Sequence, residues 1–313
     1  MRDQLIDWQA GTAERFGGVP LRLGHSLHRS PLFADASLAR LIEGARRENY
    51  YVNTMDVTAH NVRSRREGTI SGISGAEVLE AVRTGQIWIL IQNPGEVDAA
   101  YGELLDSLYE EMASRVAGFR PFRKKMTVLI SSPNIQVYYH CDVPGQTLWQ
   151  VRGNKSVYVY PNRPPFLKQA ALERIVLGEA HEISLKYDEG FDKDAVVYDL
   201  QPGQMLHWPL NAPHRIVNAD CVNVSFTTEH FTDDIRRTYF VNYANGVLRN
   251  RLGLSKLSRG TAGLSYWGKL LVGAAYKASG AKKKRAQVFK IDFAVDPKAP
   301  RGVRSIPPYE FRK

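Results

Sequence analysis

Residues 136–142 read Gln-Val-Tyr-Tyr-His-Cys-Asp, and the fold assignment starts from this stretch. The β-branched and aromatic residues before His140 predict a strand. Side chains two apart in a strand project from the same face, so His140 and Asp142 are expected to lie together. An imidazole and a carboxylate are two of the three ligands of a two-histidine, one-carboxylate site, which leaves positions on iron(II) open. A His-X-Asp tripeptide also occurs often by chance, so a second histidine is needed.

That second histidine has to come from a distant strand of the same barrel, and His214 fits the requirement. Gln201–Gln204 (QPGQ) predicts a turn between two strands. Pro209 and Pro213 then flank a loop that brings His214 to the start of the next strand. His207 is the alternative ligand, but its apolar neighbours predict a buried strand. We therefore favour His214 as the ligand and His207 as a core or supporting histidine.

A lysine, Lys155, follows Asp142 of the His-X-Asp pair by thirteen residues. Gly153-Asn154 predicts a two-residue hairpin turn, so Lys155 is expected to begin the strand that pairs back. A lysine that points inward there is costly without an anion. A dicarboxylate co-substrate that chelates iron through its 2-oxo acid end could offer its far carboxylate to Lys155. The alternative, a lysine facing solvent at a hairpin tip, stays open on this segment alone.

Short β-rich segments separated by turns fill the centre of the chain. They are Met126–Ser131, Gln136–Asp142, Thr147–Arg152, Ser156–Tyr160, Ala195–Leu200, Gln204–Trp208, Arg215–Asn218 and Val222–Thr228. Eight such strands predict an all-β barrel or jelly roll. We therefore expect a fold that is mainly β with α: a double-stranded β-helix (jelly-roll or cupin) core flanked by N-terminal and C-terminal helices.

The flanking segments predict helices and one more strand. The helices are expected at residues 3–15, at Asp35–Arg47 with Asp35 or Ser37 as its cap, at Ser74–Arg83 with a capping box to Glu77, and at Glu96–Val116. A buried strand is expected at Gln86–Gln92. We expect one structural unit with residues 1–120 packing on a core of residues 121–231, followed by a helical region with a basic tail at 232–313.

Composition narrows the class of protein. The 313 residues are 43% hydrophobic and 24% charged, which is typical of soluble globular proteins. Two cysteines, Cys141 and Cys221, give no disulfide framework. The N-terminus lacks the apolar run of a signal peptide, and no stretch approaches the roughly 20 apolar residues of a membrane span. We expect a cytoplasmic protein.

The formal net charge is +10, and much of the excess lies in residues 120–125, 249–259 and 282–285. A solvated basic surface and tail is the interpretation we favour, and an anionic partner is the alternative. Helices are expected at Asp233–Leu252 and Gly263–Ser279. Packing on the core ranks first for them and homodimerisation second. Contact with nucleic acid or a membrane ranks last.

Taken together, these motifs resemble the JmjC/cupin-like (cupin-8) family of oxygenases and, within it, the type of asparaginyl hydroxylase that acts on the hypoxia-inducible factor. The residues that carry the resemblance are His140, Asp142, Gln150, Gly153, Lys155, Pro202, Gly203, Pro209, His214, Ile216 and Asn218. They span roughly residues 126–228. The family pattern is interrupted at Gln204, where aspartate is usual, at Val137, where threonine is common, and at Ser225, where asparagine is frequent.

The resemblance implies iron(II) bound by His140, Asp142 and His214, with 2-oxoglutarate as co-substrate bound by Lys155. Because of the departures, Tyr138, Thr127 and Ser225 are candidates for the remaining co-substrate contacts. The implied activity is that of a dioxygenase: hydroxylation of a C–H bond in a protein residue or small molecule, with release of succinate and carbon dioxide.

Three other functions remain open from the sequence. The same scaffold could act as a demethylase, in which hydroxylation of an N-methyl group is followed by loss of formaldehyde. It could be a non-catalytic cupin-like binding or regulatory protein, although an intact ligand set and Lys155 argue against that. It could also be a metal-dependent isomerase or another cupin that does not use 2-oxoglutarate, and Lys155 would then have no role in the cavity. The basic surface slightly favours an acidic peptide substrate.

Overall fold

A computed structural model describes residues 4–55, 57, 62–70, 72–280 and 288–313. The basic run at 282–285 lies outside these described residues. The strands are β1 (Ile6–Asp7), β2 (Leu21–His25), β3 (Tyr50–Thr54), β4 (Arg66–Thr69), β5 (Trp88–Gln92), β6 (Phe122–Ser131), β7 (Gln136–His140), β8 (Gly145–Arg152), β9 (Lys155–Val159), β10 (Val196–Leu200), β11 (Gln204–His207), β12 (His214–Asn218), β13 (Asn223–Phe231), β14 (Val288–Val295) and β15 (Val303–Arg312). The α-helices are α1 (Asp35–Gly44), α2 (Gly75–Thr84), α3 (Ala99–Arg115), α4 (Gln169–Val176), α5 (Asp233–Leu252) and α6 (Gly263–Ala278).

The described strands form two sheets, which confirms the predicted jelly-roll core. The large sheet has the order β1-β2-β11-β8-β13-β6-β5-β3-β4-β14-β15, and the small sheet has the order β10-β9-β12-β7. The core strands β6 to β13 move repeatedly between the two sheets, as the chain of a double-stranded β-helix does. All pairings among these core strands are antiparallel.

Side chains that alternate along the strands divide the interior into three apolar layers. Between the two sheets lie Leu148, Val157, Val159, Leu200, Leu206, Trp208, Ala212 and Ile216. Behind the large sheet, residues such as Ile89, Ile91 and Val128 pack with α1, α2 and α3. Behind the small sheet, Tyr139 and Tyr160 pack with residues of α4 and α5. Helices therefore cover the outer faces, and the space between the sheets is left for a site.

The helix starts confirm one predicted cap and correct another. The Ser74 side chain accepts a hydrogen bond from the backbone N–H of Glu77, and the Glu77 carboxylate accepts one from the Ser74 N–H, so the capping box of α2 is confirmed. Helix α1 begins at Asp35 itself after Ala34, without a side-chain cap, so the predicted cap by Asp35 or Ser37 is wrong.

The predicted helix at residues 3–15 is also wrong. Ile6–Asp7 form β1, which pairs with β2, and the chain then continues as turns. The backbone N–H groups of Leu5 and Ile6 donate to the carboxylate of Glu111 on α3, at 2.8 and 3.0 Å. These contacts with distant residues hold the segment extended, and a local helical pattern does not reveal them.

The C-terminal region is only partly helical. Helices α5 and α6 agree with the prediction, but β14 and β15 follow as an antiparallel pair. Strand β14 also pairs in parallel with β4, so the end of the chain completes one edge of the large sheet. In β14, Phe289, Ile291 and Phe293 alternate with more exposed residues, which is the period of a strand.

Gly153-Asn154 does not close a hairpin. Strand β8 belongs to the large sheet and β9 to the small one, and the two do not pair. Gly153 has a φ of 72°, and a Cβ there would lie 2.3 Å from the carbonyl oxygen of Val222. The chain therefore uses this glycine to cross between the sheets, and Lys155 enters the interior instead of standing at a hairpin tip.

Candidate metal centre

Three side chains with metal-binding groups meet at one end of the small sheet. His140 is the last residue of β7, His214 is the first residue of β12, and the two are direct partners in the ladder. Asp142 follows two residues after His140. The Asp142 Oδ1 lies 3.8 Å from His140 Nε2, and its Oδ2 lies 3.3 Å from His214 Nε2. The three ligand atoms all lie within 4.8 Å of one another, so one cation can contact all of them.

Backbone carbonyl groups orient both imidazoles. His140 Nδ1 lies 2.7 Å from the Tyr138 carbonyl oxygen, and His214 Nδ1 lies 3.1 Å from the Ala212 carbonyl oxygen. A carbonyl oxygen only accepts hydrogen bonds, so in each ring Nδ1 carries the proton and donates. The lone pair of each Nε2 is then free and directed toward Asp142, as a metal ligand requires.

The carboxylate of Asp142 is also held in place. The Gln146 side-chain amide, oriented to donate, lies 3.0 Å from Asp142 Oδ1 and also reaches Oδ2. The Asn211 amide donates to the Asp142 backbone carbonyl at 2.6 Å. Burial, followed by the nearby negative charge of Glu229, raises the pKa of Asp142 well above its ordinary value. Burial lowers the pKa of both His140 and His214. A bound cation would favour the ionised carboxylate and the neutral imidazoles.

The three groups face a cavity of about 430 Å³ between the sheets, a size typical of small-molecule sites. Its apolar walls come mainly from Leu90, Leu129, Val137, Leu148, Ile175, Ile183, Trp208 and Ile216. Its polar lining comes mainly from Arg65, Gln92, Thr127, Tyr138, Gln146, His181, Glu182, Thr227 and Glu229. The cavity thus combines apolar walls with polar groups that include His140, Asp142 and His214.

Among the residues expected to bind a co-substrate, Thr127 and Tyr138 line this cavity. The Tyr138 hydroxyl lies 3.0 Å from Ser64 Oγ. Lys155 and Ser225 are buried between the sheets and do not line the cavity. Along β12, His214 pairs with Val159 and Asn218 pairs with Lys155, so the lysine lies four residues from the level of the triad. At about 3.3 Å per residue, this is roughly 13 Å along the strands.

Lys155 is a buried amine with a small polar environment. Its Nζ donates to Ser225 Oγ at 3.0 Å. Burial lowers the pKa of Lys155 to about 7. An anion beside it would restore the ordinary preference for the charged form.

His207 lies outside the ligand cluster, as the sequence favours. Its ring stacks on Phe16 with centroids 3.9 Å apart, and its Nδ1 lies 2.8 Å from the Gln146 carbonyl oxygen. It therefore packs behind the segment that carries Gln146. Burial lowers the pKa of His207 to about 4, so the ring is neutral at pH 7.

Sequence reasoning missed four polar residues of the cavity. Glu229 on β13 is the ladder partner of Gln146, so these two side chains sit beside Asp142. Glu182 comes from a short 3-10 turn, and burial raises its pKa to about 7, with the nearby Asp142 as the next cause. Arg65 lines the cavity and pairs with Glu67 at 3.4 Å. In the sequence, Glu229 and Gln146 are marked only as polar residues within otherwise apolar strands.

Comparison with known proteins gives a fold match. No protein-family model matches the chain, and no curated protein does. The structure is similar to that of YcfD from Escherichia coli, with a TM-score of 0.52 and 15% sequence identity over 91% of this chain and 70% of that one. A second structure of YcfD, described as a ribosomal oxygenase in complex with cobalt and 2-oxoglutarate, matches with a TM-score of 0.50 and 12% identity over 89% of this chain and 69% of that one. The chain therefore shares its overall fold with a ribosomal oxygenase.

Proposed function

We propose that this protein is an iron(II)- and 2-oxoglutarate-dependent oxygenase that hydroxylates a C–H bond of a protein residue or small molecule. The observation that carries the proposal is the convergence of His140, Asp142 and His214 on one point of a cavity between the sheets. Two neutral imidazoles and one carboxylate, with positions left open, match the ligand set of non-haem iron(II) oxygenases. The shared fold with a protein whose structure holds cobalt and 2-oxoglutarate supports the same assignment.

Iron(II), when bound there, would supply oxygen activation coupled to the conversion of 2-oxoglutarate to succinate and carbon dioxide. The chain's own residues hold and shield the site. Backbone carbonyls fix the imidazoles, and Gln146 and Asn211 fix the segment of Asp142. Trp208 packs against His214 with ring centroids 4.4 Å apart, which excludes water from one side of the ligand. Rigid support of this kind keeps the ligands in the geometry that the metal needs.

The anchor for the far carboxylate of 2-oxoglutarate has two candidates. We favour Lys155, because a buried ammonium whose one described hydrogen bond is to Ser225 is costly without an anion. Arg65 is the rival: it lines the cavity itself, but Glu67 already partners it. A co-substrate that reaches Lys155 has to extend past the apolar level of Ile216. Thr127 and Tyr138 would contact it on the way.

The two variants Lys155→Met and Arg65→Met separate these anchors. Removing one partner of a buried charge pair costs about 2 kcal/mol or more, so Lys155→Met should raise the KM for 2-oxoglutarate about 30-fold or more. Lys155→Arg should restore part of the affinity. Arg65→Met should leave this KM within about threefold. The reverse pattern would assign the anchor to Arg65.

The carboxylates of the cavity bear on the substrate. Glu182 and Glu229 line it beside Asp142, and burial raises the pKa of each. When these two groups are ionised they repel an acidic substrate group near the metal, so the acidic peptide that the net charge favours does not suit the cavity itself. We expect the reacting group of the substrate to be neutral or cationic.

Turnover and metal binding together test the proposal. Protein reconstituted without oxygen with iron(II), then supplied with 2-oxoglutarate and air, should form succinate. Both His140→Ala and Asp142→Ala should abolish this and weaken metal binding, measured by calorimetry with cobalt(II). Substitution of the half-buried His28 by alanine serves as the matched control and should change neither. Unchanged metal affinity in both ligand variants would contradict the proposed centre.

Two alternatives have distinct outcomes in the same assay. A demethylase would release formaldehyde with succinate when an N-methylated substrate is supplied. A non-catalytic cupin-like binding protein would bind the metal as tightly as an enzyme would, but it would form no succinate with any candidate substrate. The intact triad, together with a buried Lys155 farther along the small sheet, supports the enzyme.

A further inference from the structure

The outward face of α6 is entirely apolar. Leu264, Trp267 and Leu271 are 91%, 62% and 72% exposed. The other outward positions of the helix are Gly268, Ala274, Ala275 and Ala278, all of them exposed. These seven residues, the outward face, fall within about 120° of the helix circumference, at 100° per residue. A helix on a protein surface normally turns polar residues outward, so this face is built to be covered.

The polar residues of α6 point the other way. Lys269 is buried, and its Nζ donates to the backbone carbonyl and, at 2.8 Å, to the hydroxyl of Ser258. Tyr266 is buried and lies under the guanidinium of Arg237 on α5, while Gly273 packs against the Tyr243 ring. The helix is therefore held on α5 by its polar and aromatic side. Its apolar side is not needed for that packing.

The sequence on either side of α6 carries charge of one sign. From Ile235 to Ile291 the chain has thirteen lysines and arginines and no aspartate or glutamate. Arg259 precedes the helix, and Lys277 lies in its last turn. Acidic groups from elsewhere reach this region at α5, where Glu173 pairs with Arg249 and Glu179 accepts from Asn250. Neither of these contacts is to the outward face.

The basic charge next to the apolar face favours one of three possible partners: a second copy of the chain, nucleic acid or an anionic lipid surface. Two copies of the chain joined through α6 would bring two basic rims together, which opposes association. Nucleic acid would match the charge but not the leucine and tryptophan side chains. An anionic lipid surface matches both, because its headgroups attract lysine and arginine and its acyl boundary takes up leucine and tryptophan.

We propose that α6 docks this protein on an anionic membrane surface, with the outward face in the lipid and the basic residues at the headgroups. Sixteen residues give a helix about 24 Å long, so it would lie in the plane of the interface. Within the part of the chain that the structure describes, no helix is long and apolar enough to cross a membrane.

Vesicle flotation tests the proposal with the full-length protein. Vesicles are phosphatidylcholine alone, or phosphatidylcholine with about one third phosphatidylserine. Binding should be about tenfold or more stronger to the phosphatidylserine vesicles, and added salt should weaken it. The triple variant Leu264→Gln, Trp267→Gln, Leu271→Gln should lose about tenfold or more in affinity. The matched control replaces Val196 and Val197, 52% and 45% exposed on β10, by glutamine and should bind like the wild type.

A second measurement does not depend on folding of the triple variant. Brominated lipids should quench tryptophan fluorescence of the wild-type protein, and Trp267→Phe should remove most of the quenching while it keeps the binding. Equal binding to both kinds of vesicle, or none, would overturn the proposal. So would a dimer in solution that the triple variant converts to a monomer, or binding to duplex DNA that the triple variant weakens.

Discussion

Gly153 shows how one residue sets the path between the two sheets. Its φ of 72° is shared by Gly178, but a Cβ at Gly153 would lie 2.3 Å from the Val222 carbonyl oxygen, whereas a Cβ at Gly178 would meet nothing within 4 Å. Gly178→Ala should therefore lower the free energy of unfolding by about 1 kcal/mol through backbone strain alone. Gly153→Ala should cost at least about 1 kcal/mol more, because the backbone segment that leads into β13 has to move. Urea unfolding of the two variants measures the difference, and equal losses would contradict the steric explanation.

The candidate metal ligands were predictable singly because each follows a local rule. Strand alternation places His140 and Asp142 on one face, and the turn and the proline-flanked loop place His214 at a strand start. Glu229 and Glu182 obey no such rule. The first is beside Asp142 only because β13 pairs with β8, and the second because a 3-10 turn packs over the cavity. Pairings between distant segments cannot be obtained from one sequence without knowledge of the strand order.

At the scale of elements, a short apolar segment takes its structure from its neighbours. Strand β14 has the alternation of a strand, but it follows two helices. The prediction of a helical region with a basic tail at 232–313 therefore missed it. The parallel pairing with β4 and the antiparallel pairing with β15 stabilise it. Gly68 on β4 leaves the space that the Phe293 ring occupies, since a Cβ there would lie 2.2 Å from that ring.

Two phenylalanines of β14 test how much this edge contributes to stability. Phe293 is fully buried, so Phe293→Ala should lower the free energy of unfolding by about 3 kcal/mol or more. Phe289 lies on the same strand and is half-buried, so Phe289→Ala is the matched control and should cost less than half as much. Thermal and urea unfolding of both variants provide the comparison. Similar small losses would mean that β14 and β15 add little to the fold.

For the whole molecule, the architecture was predictable and the connections between its layers were not. Eight central strands and flanking helices indicate a jelly roll, because turn residues and apolar periods are local properties. The assignment of β8 and β9 to different sheets is not local, and it decides that Lys155 is buried. The extension of the large sheet to both ends of the chain, through β1 and β15, likewise depends on distant partners.

Buried titratable groups spread over the molecule make stability depend on pH in opposite directions. Burial lowers the pKa of His25 and His207 to about 4 and that of His230 to about 3. Below about pH 6.5 the unfolded chain protonates these histidines while the folded chain does not. Their contribution to the free energy of unfolding is therefore complete above that pH and is lost as the pH falls. Burial raises the pKa of Glu67 to about 7, so the folded chain holds that proton longer and gains stability as the pH falls from about 7 to 4.5.

In metal-free protein, His230→Gln should make the loss of unfolding free energy from pH 7 to 5 shallower, and Glu67→Gln should make it steeper, each by up to about 1.4 kcal/mol per pH unit. Urea titrations across this range measure both slopes, and slopes that move together or stay unchanged would show that these groups do not set the acid stability.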